Sequence, residues 1–388
     1  MYKIKLYNNI APIGINAFDE RYDVSEDMEN EDAILVRSAN LFDIDYNPNL
    51  KSIARAGAGV NNIDIDTCTK KGIVVFNTPG ANSNAVKELV FAGMLMASRD
   101  IYHGIEWAKS QTNNKNLAKD MEKQKKQYAG NELAKKSLGV IGCGAIGIQV
   151  ANLALRFDMD VHGYDPYMSV DAAWNLSRYV KHEKAIEDIY KKCDFITLHI
   201  PQNDQTKGII NKEALDMMKN GVKILNFARG GLINEDDMLE ALDSGKVACY
   251  ITDFPTPKLA GHPHVIPIPH LGASTSESED NCAVMAAKET IHFLQYGNIK
   301  NSVNMPEAIM DFNHKFRICV IHKNIPKMLT KITDTLSTEN VNIENLLNKS
   351  RKDIAYTMLD LDHEASDAII NKIRQIDGVT RVTTYAGE

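Results

Sequence analysis

The apolar and polar positions alternate along the chain in two periods. Ala33-Ile34-Leu35-Val36, Ser52-Ile53-Ala54-Arg55 and Ile73-Val74-Val75-Phe76 are short apolar runs, each closed by polar or glycine-rich residues. Runs of this kind predict buried strands of parallel βα units. Met1-Tyr2-Lys3-Ile4-Lys5-Leu6-Tyr7 alternates like a further strand. From Asn84 the spacing changes to Val86, Leu89, Val90, Gly93, Met94 and Ala97, which predicts a long helix. Strand patterns return at 137–141, 161–165, 195–198, 223–226 and 248–251, and a second long helix spans about 276–297. After Pro306 the order is strand (316–322), helix (325–338), strands from 342 and from 355, helix (367–376) and strand (379–384). That βαββαβ order is the ferredoxin-like unit. The expected fold is therefore α/β, with two Rossmann-like parallel-sheet domains followed by a ferredoxin-like unit. The expected bounds are 1–100 with 285–306, 101–284, and 314–388, with a hinge near 298–313.

The stretch from Lys136 to Asp165 is the most informative. The strand Ser137–Ile141 leads into Gly142-Cys143-Gly144-Ala145-Ile146-Gly147, then an apolar helix pattern, then Val161-His162-Gly163-Tyr164-Asp165. Gly142 allows a tight turn, Gly144 lets backbone approach a pyrophosphate, and Gly147 lets helix and strand pack. The N–H groups of Ala145, Ile146 and Gly147 at the helix start suit phosphates. Asp165 stands at the end of the next strand, where a carboxylate takes ribose hydroxyls and repels a 2′-phosphate. NAD is the expected cofactor. A lone glycine turn occurs in other α/β proteins; the strand, helix and acid around this one make it specific.

The net charge of −7 over 388 residues, with no basic stripe, excludes a nucleic-acid surface. Lys115 to Lys126 alternates with acids and reads as a solvated helix face. The six cysteines are scattered, without CxxC or ligand spacing, so buried thiols in a reducing compartment and no metal are expected. No apolar run reaches membrane-spanning length and the N-terminus is no signal peptide, so a cytoplasmic protein is expected.

Further strand ends carry the candidate chemistry. Leu198-His199-Ile200-Pro201, Asn226-Phe227-Ala228-Arg229-Gly230-Gly231 and Thr252-Asp253-Phe254-Pro255 close three successive strands, where ligands of open parallel sheets bind. A guanidinium at Arg229 can hold a carboxylate through two parallel hydrogen bonds, or form a structural ion pair. His270, between Pro269 and Leu271, suits proton transfer near neutral pH; a loop histidine is as readily structural.

These motifs, with Pro269-His270-Leu271-Gly272-Ala273-Ser274-Thr275, resemble the D-isomer-specific 2-hydroxyacid dehydrogenase family. Arg55-Ala56-Gly57-Ala58-Gly59-Val60-Asn61-Asn62-Ile63-Asp64 and Asn77-Thr78-Pro79-Gly80 resemble the substrate loops of members acting on 3-phosphoglycerate. The C-terminal unit resembles an ACT domain. The resemblance implies Arg229 as the residue binding and polarising a 2-oxo acid and His270 as the proton shuttle. It implies Asp253, His199, Pro201 and Ala228 along the cofactor, with Asp253 at the nicotinamide carboxamide and Pro201 by the adenine. It implies Arg55, Ala58, Gly59, Val60 and Thr78 around substrate anions; Arg37 and Arg99 are further candidate cations for a phosphate. It implies His322 and Asn324 of one subunit and Asn342 of another around L-serine as effector, in a homo-oligomer. Two departures stand out. The family pairs its histidine with a glutamate shortly after the Asp253 position, where this chain has Pro257-Lys258; Glu277 or Glu279 could substitute. A glycine usual after the Ile325-Pro326 pair is Lys327 here. Another 2-hydroxy acid as substrate, or an NAD-sensing regulator without catalysis, are the alternative readings.

Overall fold

The structure is a computed structural model that describes residues 1–312, 315–338 and 341–387. Its contacts divide the chain into two compact units, Met1–Ala81 with the chain from Glu279 onward, and Asn82–Ser278. Three domains were expected; the C-terminal sheet shares the first unit with the N-terminal one. His314 and Glu388, which bound the expected C-terminal domain, and Asn313 at the expected hinge lie outside the described residues.

The first unit opens with a parallel sheet of β1 (Tyr2–Tyr7), β2 (Tyr22–Ser25), β3 (Ala33–Val36), β4 (Ser52–Arg55) and β5 (Val74–Asn77), in the order β2-β1-β3-β4-β5. Ile34, Val36, Ile53 and Val75 face one apolar layer, and Leu35, Ala54, Val74 and Phe76 the other. Burial on both faces explains why these strands are short continuous apolar runs.

The second unit holds seven parallel strands: β6 (Ser137–Ile141), β7 (Asp160–Tyr164), β8 (Lys181–His182), β9 (Phe195–Leu198), β10 (Val222–Asn226), β11 (Val247–Thr252) and β12 (Val265–Pro267). Their order is β12-β11-β10-β9-β6-β7-β8. The order reverses between β6 and β9, which opens a crevice at the carboxyl end of β6. The helix Ser83–Ser98 packs Val86, Val90, Phe91 and Met94 into the core beside Leu138, Val140 and Ile251. The Lys-rich segment forms Leu117–Gln124, a helix without a buried residue, as its charge pattern requires.

The C-terminal segment forms β13 (Phe316–Lys323), β14 (Ile343–Arg351), β15 (Ile354–Leu361) and β16 (Val379–Ala386), antiparallel in the order β14-β15-β13-β16. Ile318, Val320, Leu359 and Leu361 face the helices Met328–Ser337 and Asp367–Arg374 through Ile332, Leu336, Ile369 and Ile373. On the opposite face Cys319, Ile321, Tyr356, Met358 and Tyr385 share a core with Leu6, Phe76 and Phe293. Both faces of β13 are thus covered.

One charged residue anchors this junction. Arg317 is fully buried and spends every guanidinium N–H inside the protein. Nε and Nη2 donate to the Asp360 carboxylate at 2.5 and 2.9 Å. Nη1 donates to the carbonyls of Tyr296 (2.7 Å) and Met310 (3.0 Å), and Nη2 also to that of Asp311 (2.8 Å). The Tyr356 hydroxyl donates to the Gly297 carbonyl at 2.7 Å. Within the expected hinge segment, Arg317 holds the carbonyls of Met310 and Asp311, and Ile299 bridges to Ala308.

All six cysteines are buried thiols outside any disulfide. Among the described residues no cluster could hold a metal ion, and no helix is long and apolar enough to cross a membrane.

Candidate functional site

The turn after β6 is built for close approach. Gly142 has φ +93°, and a Cβ there would stand 2.6 Å from the His199 carbonyl oxygen. A Cβ on Gly147 would stand 1.9 Å from the Gly142 carbonyl oxygen, so helix and turn can touch only without one. Around Gly144 the opposite holds: no atom lies within 4 Å of where its Cβ would stand. The helix Ala145–Arg156 begins there without a capping side chain, leaving its first N–H groups suited to an anion. This open cradle at the switch point of the sheet fits a dinucleotide pyrophosphate. Asp165, just past β7, accepts the N–H groups of Cys143 (2.9 Å) and Tyr167 (2.8 Å). Two backbone donors fix its carboxylate beside the glycine turn.

His199 follows β9. Its Nε2 lies 3.0 Å from the Thr197 hydroxyl, and burial pushes its pKa down to about 3, so the ring is neutral. Pro201 is exposed and Ala228 half-buried.

Arg229 is carried by a buried residue, Asn226, that stands outside the expected site residues. Asn226, fully buried at the end of β10, accepts the N–H groups of Ala228 (3.2 Å) and Arg229 (3.3 Å) through Oδ1. Its Nδ2 donates to the Arg229 carbonyl at 2.9 Å and to the Tyr250 hydroxyl at 3.3 Å. The turn is closed on one amide side chain, and Arg229 projects from it exposed, with Nη1 on the Ala228 carbonyl at 2.6 Å. An asparagine two residues before Ala228 was the available signal, since such side chains organise turns.

His270 is exposed and has φ +44°, a left-handed conformation rare for a bulky residue. Its N–H donates to the carbonyls of Asp253 and Ile268, both at 3.0 Å. Its ring lies 4.7 Å from that of Phe254, centre to centre. Asp253 is buried, and its Oδ2 accepts the Gly272 N–H at 3.0 Å while Oδ1 has no partner. Burial raises the pKa of Asp253; the Gly272 N–H and the charges of His270 and Arg229 oppose that rise. Arg229 and His270 are thus each within electrostatic reach of Asp253.

No carboxylate stands between Asp253 and His270 in the sequence. Lys258 pairs with Asp236. Of the two glutamates considered as substitutes, Glu277 accepts from the Ser276 hydroxyl at 3.2 Å, and Glu279 is held by Arg37 at 2.5 Å.

In the first unit, Arg55 ends β4 and its Nε donates to the Arg37 carbonyl at 2.9 Å. Asn77 Nδ2 donates to the Ala58 carbonyl at 2.7 Å, and the Thr78 N–H to the Gly57 carbonyl at 3.1 Å. Gly59 and Val60 are half-buried, and the Thr78 hydroxyl is buried without a partner. Arg37 is already ion-paired, and Arg99 is exposed after the helix Ser83–Ser98.

The expected effector residues fall on the C-terminal sheet. His322 is buried, Nδ1 donating to the Lys323 carbonyl and Nε2 facing the Thr357 hydroxyl, both at 2.8 Å. Burial lowers its pKa, against the opposing hydrogen bonds to Lys323 and Asn348. Asn324 donates to the Lys352 carbonyl at 3.1 Å, and Asn342 to Glu344 at 3.2 Å; both are exposed. Lys327 has φ +69°: the turn keeps a glycine's backbone in spite of the lysine.

Residues 91–272 match the family model described as "D-isomer specific 2-hydroxyacid dehydrogenase, NAD binding domain". A D-3-phosphoglycerate dehydrogenase of Bacillus subtilis is 37% identical over 298 residues, 74% of this chain and 54% of that protein. A protein of the same name from Methanocaldococcus jannaschii is 36% identical over 312 residues, 78% of this chain and 57% of that protein. The chain therefore spans just over half the length of these relatives. The solved structure of NAD+-bound 3-phosphoglycerate dehydrogenase from Entamoeba histolytica aligns with a TM-score of 0.60 at 29% identity, over 78% of this chain and 98% of that one.

Proposed function

We propose that the chain, whose residues 91–272 match the D-isomer specific 2-hydroxyacid dehydrogenase NAD binding domain, interconverts D-3-phosphoglycerate and 3-phosphohydroxypyruvate, the entry step of phosphorylated serine synthesis. The observation that carries this reading is the convergence of Arg229, Asp253 and His270 at neighbouring strand ends, in the unit that holds the glycine cradle. NAD, when bound, accepts the hydride leaving C2 of the hydroxy acid. The cradle from Gly142 to Gly147 holds its pyrophosphate, Asp165 its ribose hydroxyls, and Asp253 its carboxamide. The Arg229 guanidinium holds the substrate carboxylate and polarises the C2 oxygen. The His270 imidazole takes the hydroxyl proton in oxidation and returns it in reduction. Arg55, the loop Ala58–Val60 and Thr78 hold the substrate's remaining anionic groups. With no carboxylate between Asp253 and His270 in the sequence, His270 is oriented by its left-handed backbone and by the Phe254 ring.

The C-terminal sheet is read as an ACT domain that binds L-serine between subunits through His322, Asn324 and the partner's Asn342, in a cytoplasmic homo-oligomer. His322 must then give up one of its internal bonds to the ligand. The supporting features are the strand order and the preserved left-handed turn at Lys327.

Initial rates of NADH oxidation with phosphohydroxypyruvate, against pyruvate, glyoxylate, hydroxypyruvate and 2-oxoglutarate, test the substrate. A preference for the phosphorylated acid is expected. Preference for an unphosphorylated one turns the reading to another 2-hydroxyacid dehydrogenase. NADH binding without turnover turns it to an NAD-sensing protein, which the missing glutamate would suit.

A further inference from the structure

We propose that Gly57 is a positioning residue for anion recognition: its bare Cα is the floor on which the Arg55 guanidinium lies. This rests on Arg55 as a substrate anchor and adds what fixes it. After β4 the chain folds back, and the Gly57 N–H donates to the Arg55 carbonyl at 2.8 Å, with φ +148° at Gly57. The Gly57 carbonyl accepts the Thr78 N–H at 3.1 Å, which ties this turn to the loop after β5.

The space over Gly57 is filled by one group. A Cβ there would stand 1.7 Å from Arg55 Nη1, 2.5 Å from Cζ and 3.3 Å from Nε. Its three nearest atoms all belong to the same guanidinium. At Gly147 the nearest atom is a backbone oxygen that cannot move; here it is the end of a side chain that can be driven out. A side chain at position 57 therefore evicts Arg55 from its seat, and the Nε bond to the Arg37 carbonyl goes with it. Held between that carbonyl and the glycine, the planar donor fork is fixed before an anion arrives. That lowers the ordering cost of a carboxylate or phosphate contact. An alanine at φ +148° also strains the backbone, so the test must separate eviction from strain.

A double-mutant cycle does so. Wild type, Gly57→Ala, Arg55→Ala and the double variant are compared for KM and kcat with phosphohydroxypyruvate, NADH affinity by fluorescence, and melting temperature. Gly57→Ala is expected to raise KM ~10- to 100-fold, the scale of a lost charge-assisted hydrogen bond, with kcat within a few-fold of wild type and NADH affinity unchanged. In the Arg55→Ala background the same change is expected to add nothing. Additive effects, or an unchanged KM in Gly57→Ala, overturn the proposal. If Arg55→Ala alone leaves KM unchanged, Arg55 is no anchor, and that reading falls together with this one. Should Gly57→Ala fail to fold, the double variant decides: its recovery identifies the guanidinium as the obstacle, and equal failure overturns the proposal.

Discussion

In the proposed function Asp165 sets cofactor choice, by geometry as well as charge. Backbone N–H groups of Cys143 and Tyr167 hold the carboxylate next to the cradle, so it cannot swing away from a 2′-phosphate. Replacing it by serine is expected to raise the KM for NADH and to relax discrimination against NADPH; steady-state kinetics with both cofactors check this. A second residue makes a pH prediction. Glu289 is buried on the helix Ser276–Tyr296, with Oε1 accepting from Asn301 at 2.7 Å and Oε2 without a partner. Burial raises its pKa to about 8, against the opposing pull of Asn301 and Lys300. The unfolded chain loses this proton near the ordinary glutamate range, whereas the native chain keeps it to about pH 8. The native state therefore binds the extra proton in between, and stability falls as pH rises through that window. Glu289→Gln is expected to melt several degrees above wild type at pH 9 and to match it near pH 4. Melts across the pH range show the slope or its absence. At this scale the sequence disclosed residue types but not conformations. Arg229 and His270 stood out by chemistry and by place at strand ends. The left-handed backbone of His270 and the amide bracket of Asn226 follow from tertiary packing, and no local pattern announces them.

Among the elements, those with a strong period were legible. The buried strands β3, β4, β9 and β10, and the helices Ser83–Ser98 and Ser276–Tyr296, were readable to within a few residues because their apolar spacing is regular. Three strands went unseen: β2, β8 and β12 lie at or next to sheet edges, are two to four residues long, and owe their conformation to pairing with a neighbour. Lys327 stands where the resemblance leads one to expect a glycine. The structure gives that position a backbone cost, since a lysine in the left-handed region is disfavoured by about 1–2 kcal/mol. Lys327→Gly relieves that strain but loosens the unfolded chain, so a net gain of about 0.5–1 kcal/mol is expected. Urea titration measures it; an unchanged midpoint would mean that the lysine side chain contributes contacts of equal worth.

On the scale of the molecule, the least legible feature was the burial of an arginine. Phe316-Arg317-Ile318 alternates like a half-exposed strand, and nothing in it tells that the polar member meets Asp360 and three backbone carbonyls in the interior. That clamp ties the C-terminal sheet to the end of the helix Ser276–Tyr296 and to the segment at Met310 and Asp311. Arg317→Met leaves Asp360 buried without its partner and is expected to cost about 3–5 kcal/mol. Arg317→Met with Asp360→Leu removes both charges and should recover most of it. Denaturation of the two variants checks the sign: a single variant as stable as wild type would deny the clamp any role. In the proposed function Arg229 and His270 carry out NAD-linked oxidoreduction of a phosphorylated 2-oxo acid. The most direct test of this is the initial rate of NADH oxidation with phosphohydroxypyruvate for wild type and His270→Ala side by side, with NADH binding measured in both. Turnover by wild type is expected, with a ~10²- to 10⁴-fold lower kcat in the variant at unchanged NADH affinity. Near-normal turnover by His270→Ala, or none by a wild type that binds NADH, would contradict it.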